Sequence, residues 1–215
     1  VRIMLAGEPK WRRRKEARPA EIVAAALEVF AEKGFAAARL DDIAARAGVS
    51  KGALYLYFET KQDLFAAVVR EAVGPNIAAI EAAATTLDLP FAQISRIFLA
   101  RAADMLTTSP AGSVAKMVIA ESRNFPDLAR VWHDDVVVRV LGVVTGLIER
   151  AQGRGELRPG DAAMHAMSLI GPLLMGVLWR EVLVPVGARP IDLRALAAQH
   201  IETVLNGLLT EGGRS

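Results

Sequence analysis

The sequence predicts an all-α protein of about nine helices. Three observations predict it: apolar residues recur at three-to-four spacing along most of the 215 residues, no convincing strand pattern follows Pro90, and Gly48 separates two short helical patterns. With 53% hydrophobic and 23% charged residues the chain is globular, long enough for one domain or two small ones with a sizeable core.

Residues 1–18 hold no apolar run long enough for a signal peptide. Their KWRRRK cluster, residues 10–15, reads as a solvated basic tail or as an arm along the backbone or minor groove of DNA. A first helix is expected over 19–33, with Pro19 in its first turn and a stripe of Val23, Ala26, Leu27 and Phe30. Gly34 ends it, and Phe35 is placed to fold back on the last turn.

Residues 40–58, LDDIAARAGVSKGALYLYF, organise the chain. Asp41 and Asp42 suit the positive end of a helix over 41–47. Gly48 supplies the positive φ that ends it, and Ser50 N-caps a second helix over 51–58. Two helices joined by a short glycine turn make a helix-turn-helix, with Ala44 small enough for close approach. The second helix offers Lys51, Gly52, Ala53, Tyr55, Leu56 and Tyr57. One cation, two phenols and small residues suit a phosphate backbone and the floor of a groove, so the expected partner is double-stranded DNA. The same GVSKG also satisfies the G-x-S-x-G nucleophile elbow. That elbow needs a preceding buried strand where this chain has a charged helical pattern, so the reading as a helical enzyme using Ser50 is the weaker rival.

Thr60 and Asp63 resemble a capping box for a helix bearing Leu64, Phe65, Val68, Val69 and Ala72. Gly74-Pro75 is expected to break or kink it before residues 76–84 resume. This divides the chain into a tail (1–18), a DNA-binding domain (19–73) and a C-terminal domain (74–215). Further helices are expected over 91–106, 113–123, 128–152, 161–182 and 191–209, the last with a stripe of Leu193, Ala197, Ile201, Val204 and Leu208. Residues 162–179 carry no formal charge over 18 positions, near the threshold for a membrane span. His165, Ser168 and Pro172 within it, and tight charged flanks, favour a buried helix at a subunit interface over a membrane segment. Ala163, Ala166, Gly171 and Gly176 would let another helix approach, and Gly142 and Gly146 suggest close packing of soluble helices.

There is no cysteine, which excludes disulfides, thiolate zinc sites and cysteine catalysis. His133, His165 and His200 lie on separate helices, no Walker A loop or dinucleotide fingerprint occurs, and no catalytic residue, metal or cofactor is assigned. His133 beside Asp134 and Asp135 points to different helix faces, which suits solvation better than metal binding. Residues 1–70 carry 13 basic against 9 acidic side chains and the remainder 13 against 15, so the positive end coincides with the helix-turn-helix.

The words ALEVFAEKGF (26–35), DDIAARAGVSKGALYLYF (41–58) and KQDLF (61–65), in this order and spacing, resemble the TetR family of bacterial regulators. The resemblance implies a dimeric, all-helical, cytoplasmic repressor that binds a palindromic operator and has an effector-responsive C-terminal domain. It implies DNA approach by Ser50, Lys51, Gly52, Tyr55 and Tyr57, and a phosphate contact from Lys61. Arg39 departs from the family's capping Thr or Ser: it cannot accept the capping hydrogen bond but can reach a phosphate as a cation. The resemblance further implies a four-helix homodimer interface through 162–182 and 191–209. Met105, Met117, Phe125, Trp132, Met164, Met167, Met175 and Trp179 are soft, bulky residues suited to an adaptable pocket for a small hydrophobic effector, or else to ordinary core. A DNA-binding protein whose pocket is already filled by side chains is the effector-independent alternative.

Overall fold

The structure is a computed structural model that describes residues 10–86 and 88–208, with side chains from residue 18 onward. The side chains of the 10–15 basic cluster therefore lie outside the described residues, as does the 209 end of the last expected helix. The chain divides into two compact units between Val68 and Val69.

The first unit contains α1 (Lys10–Ala37), α2 (Leu40–Arg46), α3 (Lys51–Tyr55) and the start of α4 (Lys61–Thr86). The α1 helix begins nine residues before the expected start, with Pro19 inside it. The preceding stretch is rich in Arg, Lys, Glu and Ala, all good helix formers, and the fixed φ of proline is itself helical. Gly34 leaves the helical path with φ 76° and ψ 167°, a conformation open to glycine. Phe35 thereby turns inward and is fully buried, its ring 5.4 Å from Phe30 and 5.6 Å from Phe65. These three phenyl rings, with Ile22, Ile43, Leu54 and Leu64, form the core. The capping box closes as expected: Thr60 N–H donates to Asp63 Oδ2 and Asp63 N–H to Thr60 Oγ1, each at 3.0 Å.

The expected break at Gly74-Pro75 does not occur, and α4 continues through it to Thr86. Proline forfeits one intrahelical bond, while Val73 and Ile77 on either side are buried and favour a continuous helix. Packing outweighs the local penalty.

The second unit adds α5 (Phe91–Thr108), α6 (Ala111–Glu121), α7 (Pro126–Trp132), α8 (Val138–Gly153), α9 (Ala162–Leu178) and α10 (Leu193–Leu208). A π turn, His133–Val137, joins α7 to α8 without a break, which leaves nine helical rods among the described residues. Asp161 caps α9 by accepting from Ala163 N–H and Met164 N–H at 2.9 and 3.1 Å. The core is one cluster that includes Phe91, Phe98, Leu99, Ile148, Leu173 and Ile201, with α10 lying along α5 and α9.

Two expectations about close packing change here. Gly176 does permit a close approach, but a Cβ there would collide with Leu193 and press on Leu196 of the same chain. Ala166 and the α10 stripe of Leu193, Ala197 and Ile201 are likewise buried inside the unit. At Gly142 nothing lies within 4 Å of an added Cβ, and at Gly146 only the tip of Arg150 does, so no described helix abuts that pair. Residues 162–186, which are α9 and the two helical turns that follow it, are long and apolar enough to cross a membrane by length and composition. The outward face of α9 carries Met164, Met167, Leu174 and Met175, all exposed.

Candidate nucleic-acid interface and effector cavity

The helix-turn-helix is built by local chemistry. Gly48 adopts φ 66°, where Asn or Gly alone are comfortable, and ends α2. Ser50 accepts a 3.2 Å hydrogen bond from Ala53 N–H and starts α3. Helix α3 ends at Tyr55, three residues earlier than expected. Tyr57 N–H and Phe58 N–H both donate to the Leu54 carbonyl, so the chain leaves the helix through a tight turn. Ser50 follows a helix and a turn, not the buried strand a nucleophile elbow requires, and its Oγ serves the cap.

Burial sorts the residues of α3 and the turn after it. Leu54 is fully buried against the core, whereas Lys51, Gly52, Tyr55 and Leu56 face out. Leu56 is 82% exposed at the end of the helix, which a soluble surface does not require. Ala53 and Tyr57 are half-buried, and Arg39 is exposed at the N-cap of α2, where it makes no capping bond.

The cations do not all serve one purpose. Arg46 reaches back to Glu28 at 2.9 Å and to both Glu32 oxygens, clamping α2 to α1. Its guanidinium holds the Glu32 carboxyl below the usual carboxylate range, and Lys33 does the same for Asp42. Lys51 sits 2.8 Å from Asp41, whose carboxylate raises the lysine pKa further. Lys61 was expected at a phosphate. Instead its ammonium donates to the carbonyls of Phe35, Ala36 and Ala38 at 2.6, 3.2 and 3.0 Å and lies 4.5 Å from the Phe35 ring. Three donors meet three carbonyls at the end of α1, so Lys61 staples that end.

In the second unit a cavity of about 440 Å³ opens between α4, α5 and α8. Its walls include Ile80, Ile94, Ile97, Phe98, Met105 and Leu147, with Asn76, Arg101, Asp104 and Thr108 as the polar members. Of the eight residues assigned to an effector pocket from sequence, only Met105 is here, and Met164 faces out on α9. Met175 and Trp179 line a separate apolar groove with Gly171 and Ile191. Met117 is core, Met167 faces out, and Phe125 and Trp132 are half-buried elsewhere. The set is therefore not brought together. Residue type marked the right chemistry, but the cavity is made by Ile and Ala stripes on α4 and α5 that carry no distinctive signal. Among the described residues no His, Asp or Glu cluster could hold a metal, and His133 pairs with Asp134 at 2.7 Å.

Short capped helices with an outward α3, followed by an all-helical unit with a ligand-sized cavity, define a helix-turn-helix regulator with a second, cavity-bearing module. Residues 22–68 match the family described as bacterial regulatory proteins, tetR family, and residues 96–192 match the tetracyclin repressor-like C-terminal domain. The HTH-type transcriptional repressor BepR of Brucella suis biovar 1 is 30% identical over 206 residues, 91% of this chain and 96% of BepR. Two solved structures share the fold. The SmeT–triclosan complex has a TM-score of 0.76 at 24% identity over 92% of this chain and 94% of SmeT, the repressor of a Stenotrophomonas maltophilia efflux pump. FadR of Bacillus subtilis in complex with stearoyl-CoA has a TM-score of 0.70 at 21% identity, covering 87% of this chain and 98% of FadR. The chain belongs to the TetR family and is a DNA-binding transcriptional regulator.

Proposed function

We propose that the protein is a repressor that holds a two-fold-symmetric operator as a homodimer and releases it when a hydrophobic effector fills the α4–α5–α8 cavity. The observation that carries this reading is the outward face of α3. A leucine left 82% exposed beside Tyr55 and Lys51 costs solubility unless a surface covers it, and a groove floor with thymine methyls does so. Residues 19–73 read the DNA, with Ser50, Lys51, Gly52, Ala53, Tyr55, Leu56 and Tyr57 on or beside the contact face and Arg39 toward the phosphates. Residues 74–215 bind the effector and dimerise. BepR and SmeT are repressors by name, and the complexes of SmeT and FadR with triclosan and stearoyl-CoA support an apolar effector here.

The second copy covers the outward face of α9. Met164, Met167, Leu174 and Met175 make an exposed apolar stripe, and Gly171 on the same helix has open space above it. A two-fold dimer over this stripe supplies two α3 helices, one for each half of a symmetric operator. Gly176 and Ile201 face their own chain, so changing them tests folding. Met175→Asp changes the outward face alone. Effector binding acts through α4, because one continuous helix carries Phe65 and, further on, the cavity-lining Asn76, Ala79, Ile80, Ala83 and Ala84. Release requires the effector to bind the DNA-free conformation more tightly than the DNA-bound one.

Selection of DNA from a randomised library by the purified protein tests the reading, with sedimentation measured in parallel. The expected result is an inverted repeat bound by a dimer, and loss of both dimer and repeat binding in Met175→Asp. A selected site without two-fold symmetry, or a well-folded wild-type monomer at micromolar concentration, overturns it.

A further inference from the structure

The cavity between α4, α5 and α8 is polarised. Ile94, Phe98 and Leu147 line it and are buried, whereas Asn76, Arg101 and Thr108 line it and are exposed. The order along the helices agrees. Residues 87–90 join α4 to α5, so Ala83, Ala84 and Ile94 belong near that connection, and Asn76, Arg101, Asp104, Met105 and Thr108 lie away from it. One end is a hydrocarbon wall and the other is a polar mouth.

The charges at that mouth are not equivalent. Asp104 is engaged by Arg194 of α10, which offsets the only carboxylate in the lining. Arg139 and Arg150 of α8 are engaged with Glu81 and with the Ala84 carbonyl, both on α4. Arg101 lines the cavity and has no ion pair or hydrogen bond among the described residues. A planar cation with unused donors at the open end of an apolar cavity fits one chemistry, an anionic head at the end of a hydrocarbon body. We infer that the effector is an amphiphile with a hydrocarbon chain in the Ile94–Phe98–Leu147 end and a carboxylate or phosphate head held by Arg101. This rests on the cavity being the effector site, and it adds the class of molecule and the residue that selects it.

The inference explains why the cavity has no buried polar group to orient a ligand. A chain needs none, and the head is oriented at the mouth where water can complete its hydrogen bonds. It also excludes a cationic ligand, because Arg101 repels it while Asp104 is already neutralised.

Calorimetric titration of four probes sharing one decyl chain tests it: decanoate, decyl phosphate, decan-1-ol and decyltrimethylammonium, each below its micellar concentration. Both anions should bind wild-type protein more tightly than the alcohol, and the cation should bind most weakly. Arg101→Gln should weaken the anions about three- to tenfold, a charge-assisted contact discounted for exposure, and leave the alcohol within about twofold. Arg101→Lys should restore part of the loss. Comparison of decanoate with decyl phosphate identifies the head. Ala83→Phe, which fills the apolar end, should weaken all chains that bind, with circular dichroism confirming that it folds.

The outcomes separate the two claims. Equal binding of anion and alcohol, or anion binding indifferent to Arg101→Gln, overturns the anionic effector while leaving the cavity as its site. Binding of chains indifferent to Ala83→Phe in a folded variant, or no binding by any chain, overturns the cavity as effector site and the inference with it. Preference for the cation over both anions overturns the inference alone.

Discussion

The two units of this protein use apolar side chains in opposite ways. In the first, Phe30, Phe35 and Phe65 pack ring to ring in a small buried core, and α3 is held by a cap, a glycine turn and one buried leucine. In the second, the stripes on α4, α5 and α8 stop short of one another and leave about 440 Å³ between them, while α9 keeps a methionine face outside. A module that must present a fixed face to DNA gains from tight packing. A module that must admit a molecule has to leave part of its packing undone.

The largest expected effect tests that contrast directly. Phe65→Ala removes a fully buried ring from the trio and should cost about 3–5 kcal/mol. Ile97→Ala, at a cavity wall where the side chain is 45% exposed, should cost about 1 kcal/mol or less. Urea unfolding of the two variants gives the comparison, and similar losses would show that the cavity wall is packed as tightly as the phenyl core.

A middle-sized effect separates two lysines that the sequence could not distinguish. Lys61→Ala removes three donors from the carbonyls ending α1, and should cost about 1.5–3 kcal/mol of stability. Lys51 faces outward with Asp41 as its ion-pair partner, so Lys51→Ala should leave folding unchanged. It should instead weaken DNA binding across all sequences and reduce the salt dependence by about one ion. Unfolding midpoints and salt-dependent binding measured on both variants decide the assignment. If Lys61→Ala is fully stable but binds DNA poorly, the ammonium leaves the carbonyls for a phosphate.

What was legible in the sequence follows from how far each interaction reaches along the chain. Gly48, Ser50, Thr60 with Asp63, Asp161, and Gly34 with Phe35 were all readable because each acts within three or four residues. The partners of Lys61 in the structure were not legible because they are backbone carbonyls 23 to 26 residues away, which leave no mark in the side-chain pattern. The helix does not break at Pro75, one of the two outcomes expected there: the local cost of proline is visible in the sequence, and the burial of Val73 and Ile77 that outweighs it is not. Helix α9 shows the limit most plainly. Residues 162, 166, 169, 173 and 177 form one stripe, and 164, 167, 171 and 175 form another. Both are apolar or small, so periodicity separates the faces but cannot say which turns inward. The structure buries the first and exposes the second, so Met164, Met167 and Met175 lie outside the α4–α5–α8 cavity.

The smallest expected effect concerns Asp41. Its carboxylate neutralises Lys51 on the face proposed to meet DNA, and adds a negative charge where phosphates would approach. Asp41 therefore works against DNA binding in general, and most strongly where no base contact compensates. Asp41→Asn frees Lys51 and removes the repulsion. Folding should be little affected, because Asp42 still supplies a negative charge to the first turn of α2 and keeps its pair with Lys33. Affinity for random duplex should rise more than affinity for a selected site. The salt dependence of random binding should steepen by about one ion, since Lys51 no longer exchanges one anion for another. The ratio of specific to non-specific affinity should fall accordingly, making Asp41 a residue that maintains discrimination by opposing contact. An unchanged salt slope in Asp41→Asn would mean that Lys51 leaves Asp41 at no cost when DNA arrives, and that the pair has no part in discrimination.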